Sequence, residues 1–275
     1  MKSSSCINNK IMRHQQGATL IIVMIILLII VVVGILAVRV ALVSLGVATN
    51  SQVNQLNFQS SDTPLAWFNN VAPTTITDFD NVIGAALKEN ESNPGGEYIF
   101  CYKPVSSTVG FAQTVDASLI RKADSGNNAT VDTGGVAGFC NLSRDFGSNR
   151  QAVVTQVAVS IPTDTNNTTP GSGLPRGINV SEGTQLPKSM TSTQRIRVTT
   201  TAMLPAYSAS SISSIQQACL SSSTAKISDD LTATLGAGSE YTLGKCLSDN
   251  GVPFSTQVQE FNYLNQLTEV TVPGS

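Results

Sequence analysis

Apolar and polar positions fall into two regimes along this chain. From Ala18 to Val38 the sequence reads ATLIIVMIILLIIVVVGILAV, with no charge and a single interior glycine, Gly34. As a helix this 21-residue block spans about 32 Å at roughly 1.5 Å per residue, enough to cross a bilayer core. A cleavable secretory h-region is shorter, about 7–15 residues, and leads into a small-residue cut site. A core helix of a soluble domain is rarely apolar all round. The pattern predicts a membrane-spanning helix. Beyond Arg39, apolar residues recur at Leu42, Leu45, Val53 and Leu56, near helical spacing, among Ser, Asn and Gln. No proline interrupts Ala18 to Thr63, so one helix is expected to about residue 62 or beyond, with Pro64 kinking or ending it.

From Val71 the pattern changes to short apolar runs in Ser, Thr, Asn and Gly. Alternating or β-branched runs predict strands at EYIFCYKPV (97–105), VGFAQTV (109–115), RQAVVTQVAVSIP (150–162) and TQRIRVTTTAMLPAY (193–207). QVQEFNYLNQLTEVTV (257–272) reads as a strand pair or a strand and turn, and 212–235 as a short helix. TDTNNTTPGSGLPRG (163–177) reads as loop. The expected fold class is α+β: a long N-terminal helix, membrane-spanning in its first half, packed on an antiparallel β-sheet domain.

Charge adds orientation. Only 12% of the 275 residues are charged, and 16 basic against 18 acidic residues leave a net charge of -2. No basic stripe is present to displace counterions from phosphate, which argues against a nucleic-acid partner. Residues 1–17 carry Lys2, Lys10 and Arg13 and no acid; the first acid is Asp62. By the positive-inside rule the leader stays cytoplasmic and the chain after Val38 is exported. Cys6 precedes the apolar block, where a lipid-accepting cysteine would follow it. The one histidine, His14, lies in the leader, so a processed chain has no His triad, His metal site or His acid–base chemistry. No motif for catalysis or for a cofactor stands in the sequence.

The junction RHQQG/ATLII resembles the class III signal of type IV pilins. That resemblance implies that a prepilin peptidase cuts after Gly17 and methylates the new N-terminus at Ala18, and that the apolar segment stays in the mature protein. It divides the chain into a leader (1–17), an N-terminal helix (18–70) spanning the inner membrane at 18–38, and an exported β-rich domain (71–275). QSSDTPLAWF (59–68) is similar to the Q-A-A-E-x-A-L stretch of PilX-type minor pilins, with Asp62 in place of the Glu and Pro64 in place of a small residue. The resemblance covers residues 13–68 and is architectural beyond them. It departs from major pilins at the fifth mature position, where Ile22 stands instead of a glutamate. PilX-type minor pilins and the tip pseudopilin of type II secretion also lack that glutamate. An unpaired carboxylate at that depth is costly, and a subunit that enters first has no earlier subunit to pair with.

The function this resemblance implies is a non-enzymatic minor pilin that helps to prime pilus assembly and sits at or near the tip. Its partners would be other minor pilins, the major pilin, a tip adhesin, the prepilin peptidase and inner-membrane lipid. It would wait in the inner membrane, single-pass, with its C-terminal domain periplasmic, and then enter the pilus at the cell surface. The alternatives are a permanently anchored adhesin or binding protein, and a membrane-tethered hydrolase using carboxylates.

Cys101, Cys140, Cys219 and Cys246 all fall on the exported, oxidising side. Four cysteines allow three pairings; 101–140 with 219–246 is preferred because each loop stays local. The long gaps do not suit a four-cysteine zinc site. DSGNNATVD (124–132) and TDTNNTT (163–169) hold carboxylates and amides but lack EF-hand spacing, and read as turns. Trp67 and Phe68 are expected to staple the helix to the sheet. Lys226, with serines nearby, is not in an S-x-x-K context. The processing reading makes a direct prediction: mass spectrometry should find a methylated N-terminus at Ala18, and Gly17→Val should leave the precursor uncut.

Overall fold

The computed structural model describes residues 16–104, 111–123, 128–162, 189–228 and 242–268. Its elements are α1 (Gln16–Asn70), α2 (Pro73–Ile76), α3 (Val82–Ser92), β1 (Gly96–Cys101), β2 (Ala117–Lys122), β3 (Ala129–Thr133), β4 (Val154–Ser160), β5 (Ser189–Met203), α4 (Ile212–Cys219), α5 (Leu243–Asp249) and β6 (Phe254–Thr268). The strands form one antiparallel sheet of order β3-β2-β1-β4-β5-β6. The fold is α+β, a long apolar N-terminal helix followed by a six-stranded antiparallel sheet. The chain divides into two compact units, Met1–Gln52 and Val53–Ser275.

In the second unit, strand alternation sorts side chains between two faces of the sheet. Phe100, Val157, Val159, Ile196 and Val198 point to one face and bury Leu65 and Phe68 of α1 with Val82, Ile83 and Ala86 of α3. Helix α3 starts at Asn81, whose side chain accepts from the Ile83 N–H at 3.1 Å. Gly84 lets α3 come down on the preceding turn: a Cβ there would lie 2.2 Å from the Asp78 carbonyl oxygen. On the other face Ile99, Ile120 and Ala158 pack with Phe139, Ala225 and Ile227. Val154 and Met203 on that face meet α4 and α5 through Ile215, Leu243 and Leu247.

Pro64 neither ends nor shortens α1, which runs on to Asn70. The proline lacks the N–H that would bond the Ser60 carbonyl, and Thr155 Oγ1 of β4 stands 3.5 Å from that oxygen. Neighbouring turns are tied down more tightly. Thr200 Oγ1 donates to the Ser61 carbonyl at 2.6 Å, and Gln257 Nε2 donates to the Phe58 carbonyl at 2.9 Å. The sheet therefore compensates the helix where its own ladder is interrupted. Of the expected apolar positions, Val53 packs on the domain core, whereas Leu56 is exposed.

Other expectations change too. The described part of VGFAQTV is a turn followed by a 3-10 turn at Thr114–Asp116, not a strand. Ala112 has φ 56°, a left-handed conformation that a strand cannot pass through. Residues 257–268 lie in one strand, because β6 pairs with β5 along the whole of both, from Ser189–Thr268 to Met203–Phe254; 269–272 lie outside the described residues. Helix α4 covers only the start of 212–235. The loops 163–177 and 163–169 lie outside the described residues.

Phe68 ties α1 to the sheet, its ring meeting those of Phe100, Phe111 and Phe261 with centroids 6.5, 4.9 and 6.4 Å away. Phe68→Ala should cost about 3–5 kcal/mol, read as a lowered denaturation midpoint at unchanged denaturant slope.

Candidate functional site

The N-terminal unit is built from α1 alone among the described residues. Its large apolar side chains from Leu20 to Val47 are between 47% and 69% exposed, on every side of the helix. It is the one described helix long and apolar enough to cross a membrane. Leu, Ile and Val on all faces cannot be left to water at such length, since each buried side chain of this kind is worth about 1.5–3 kcal/mol. Gly34, Ala37, Ala41, Ser44 and Ala48 recur at alternating spacings of three and four, so one face is lined by small residues. Ala18 to Val47 contains only one charge, Arg39.

The junction residues Gly17 and Ala18 lie in the first helical turn, where only their backbone is described. Ile22 follows one turn later, 55% exposed. Lys2, Cys6, Lys10, Arg13 and His14 lie outside the described residues.

Cys101, Cys140, Cys219 and Cys246 come together in two pairs. Cys101, at the end of β1, is bonded to Cys140 with an S–S distance of 2.04 Å. Cys219 on α4 is bonded to Cys246 on α5 at 1.97 Å. All four are at most 6% exposed and belong to one apolar cluster with Leu142, Ile215 and Leu247. Gln216 links the two regions: its Oε1 accepts from the Leu142 N–H at 2.8 Å, and its Nε2 donates to the Cys140 carbonyl at 2.9 Å. The residue type is unremarkable in sequence, and nothing in the local pattern singles it out.

The remaining polar candidates serve the fold. Asp132, from the DSGNNATVD stretch, lies in β3 and pairs with Arg121, which also holds Glu89 of α3 at 2.6 Å; residues 124–127 lie outside the described residues. Burial first, and then the Glu89 carboxylate, push the Tyr98 hydroxyl above its ordinary pKa, with Arg121 opposing them. Lys226 is buried and donates to Asn128 Oδ1; desolvation lowers its pKa. Of the two expected staples only Phe68 is buried, at 4% exposed, while Trp67 is 46% exposed.

Residues 16–66, about a fifth of the chain, match the family model described as PilX N-terminal. With the apolar helix and antiparallel sheet behind that match, the chain fits a PilX-type pilin. No curated protein and no solved structure shows a significant match. The PilX N-terminal family suggests a type IV pilus minor pilin, and a pilin family is structural rather than enzymatic. The helix suggests a membrane anchor, and a pilin family implies interaction with other pilus components in general. The matched segment contains Gly17, Ala18 and Ile22 and ends two residues short of Phe68.

The pairing of the cysteines can be checked directly. Non-reducing peptide mapping of exported protein should link Cys101 to Cys140 and Cys219 to Cys246. Replacing Cys219 and Cys246 together by Ser should cost roughly 2–5 kcal/mol of stability, measured by denaturant unfolding.

Proposed function

We propose that this protein is a minor pilin that helps to prime type IV pilus assembly and resides at or near the pilus tip. The observation that carries the reading is the PilX N-terminal match over residues 16–66, on a helix exposed around its whole apolar circumference. The nearly uncharged stretch from Ala18 to Val47 is about 45 Å long as a helix, against an apolar bilayer core of about 30 Å. A plain anchor needs no apolar surface beyond the hydrocarbon. A subunit whose helix packs against other helices does, and small residues on one face allow close approach.

In this reading residues 1–17 are a leader on the cytoplasmic side, cut after Gly17 by the prepilin peptidase, and Ala18 becomes the methylated N-terminus. Residues 18–70 form the helix, held in the inner membrane at 18–38, and 71–275 form the periplasmic domain until assembly carries the subunit into the pilus. Its partners are inner-membrane lipid, other minor pilins, the major pilin and a tip adhesin. No catalysis is involved.

Ile22 supports the initiating position. As first subunit, the protein meets no earlier N-terminal amine that could neutralise a carboxylate at that depth, and the isoleucine avoids a cost of roughly 2.5–3.5 kcal/mol. Ile22→Glu should therefore be processed normally but lower the number of pili per cell, not their length, at matched membrane levels of the protein. Counting and measuring pili by electron microscopy checks this. Unchanged numbers would remove the initiating role, and more pili than wild type would place the subunit in the shaft.

A further inference from the structure

Asn57 of α1 is 1% exposed, and neither its Oδ1 nor its Nδ2 has a hydrogen-bond partner among the described residues. Buried amides are normally paired, because losing water without a replacement is costly. Gln156 Oε1 is the other buried side-chain atom in that condition among the described residues. Strand alternation puts it on the opposite face of β4, and there one end of the amide alone is affected. At Asn57 both the donor and the acceptor are idle.

The contacts on either side of Asn57 fix where it lies. One helical turn earlier, Val53 packs on Val153, Ala202 and Leu204. One turn later, Thr200 Oγ1 donates to the Ser61 carbonyl at 2.6 Å, and Thr155 Oγ1 stands 3.5 Å from the Ser60 carbonyl. Residues 53, 57 and 61 share one face of the helix, so α1 passes along β5 from Ala202 towards Thr200 with Asn57 between them. Thr155 and Ala202 are register partners on β4 and β5. Asn57 is therefore set over that pair. Ala202 is fully buried and its side chain ends at Cβ, so the floor is low beneath the amide. Thr155 is 1% exposed, and its contact with the Ser60 carbonyl lies beyond the usual hydrogen-bond range.

We propose that a water molecule is bound internally between α1 and the sheet, above Ala202, bonded to the Asn57 amide and the Thr155 hydroxyl. Water both donates and accepts, which suits an amide with both functions idle and a hydroxyl that is only loosely engaged. Internal waters characteristically make about three hydrogen bonds to buried groups that lack other partners. The surroundings favour a small neutral ligand. Val53, Val153 and Leu204 are apolar, and an alkali or alkaline-earth cation needs a fuller shell of oxygens. Asn57, Thr155 and Ala202 are at most 1% exposed, which leaves no way in for a larger molecule. The site lies wholly within the unit Val53–Ser275, so it holds or fails independently of the pilin assignment.

The test reads the side-chain amide protons of Asn57 by NMR in isotope-labelled full-length protein, in deuterated detergent with both disulfides intact. A rotating-frame Overhauser experiment separates dipolar contact with water from chemical exchange by the sign of the cross peak. The Asn57 amide, assigned by its disappearance in Asn57→Leu, should show a peak of dipolar sign at the water frequency. Thr155→Val deletes the hydroxyl at nearly constant shape, and Ala202→Val adds methyl groups to the floor. Each should abolish the water peak while the amide signal itself persists. The backbone amide spectrum shows which variants keep the fold, and the wild-type measurement depends on none of them. A wild-type amide without a water peak is dry and overturns the proposal. So does a peak of exchange sign alone, or a dipolar peak that survives the substitutions in folded protein.

Discussion

The seam between the C-terminal part of α1 and the sheet has to reconcile two demands. Its end is apolar, with Leu65 and Phe68 at 4% exposure. Its middle is polar, with Asn57 at 1% and Ser61 fully buried. A polar helix face can lie on a sheet only if hydrogen bonds replace those lost to water. Ser61 Oγ accepts from Gln257 Nε2 at 2.8 Å and donates to the Phe58 carbonyl at 2.9 Å, while Thr200 reaches the Ser61 carbonyl. Asn57 is the exception, since neither side-chain atom has a partner among the described residues. The aromatic cluster takes its position from this seam through Phe68 and Trp67.

The two faces of the sheet are stabilised by different means. Helices cover the near face, and apolar burial dominates there. The far face carries few long elements, with α4 and α5 only eight and seven residues long, too short to be stable by themselves. Covalent cross-links and the Gln216 hydrogen bonds hold that layer in place. β4 lies between the layers, and its first six residues are buried, as expected of a strand covered on both faces.

What was legible in the sequence tracks how strongly each element is signalled locally. The long apolar helix is visible because 21 consecutive residues carry no charge. β1, β4 and β5 announce themselves by runs of β-branched and aromatic residues. β2, β3, α3 and α5 do not: ASLIRK and ATVDT are too short to show a period, and VIGAALKENES contains a glycine that reads as a breaker. Gly84 is there for a tertiary reason, its contact with the preceding turn, which no local pattern reveals. VGFAQTV misleads in the opposite direction, because left-handed Ala112 is imposed by its surroundings; its carbonyl accepts the Val82 N–H at 2.8 Å. The proposed junction at Gly17 and Ala18 needs only local sequence to be recognised, whereas the aromatic cluster around Phe111 draws on separated segments and has no linear signature.

The placement of the second disulfide bears on how the sheet-bearing unit folds. β5 and β6 are neighbours in the sheet, yet the chain between Met203 and Phe254 must leave and return before they can pair. Cys219 and Cys246 are 27 positions apart and lie wholly inside that excursion. If oxidation comes first, the bond short-circuits the connection to about half its contour, and the entropy of closing it falls by roughly 0.6 kcal/mol. More important is the order of events this favours. A local cross-link, formed before the two strands meet, prepares the longest strand pairing of the sheet. The edge strand then docks as the end of a shortened tether instead of a free one.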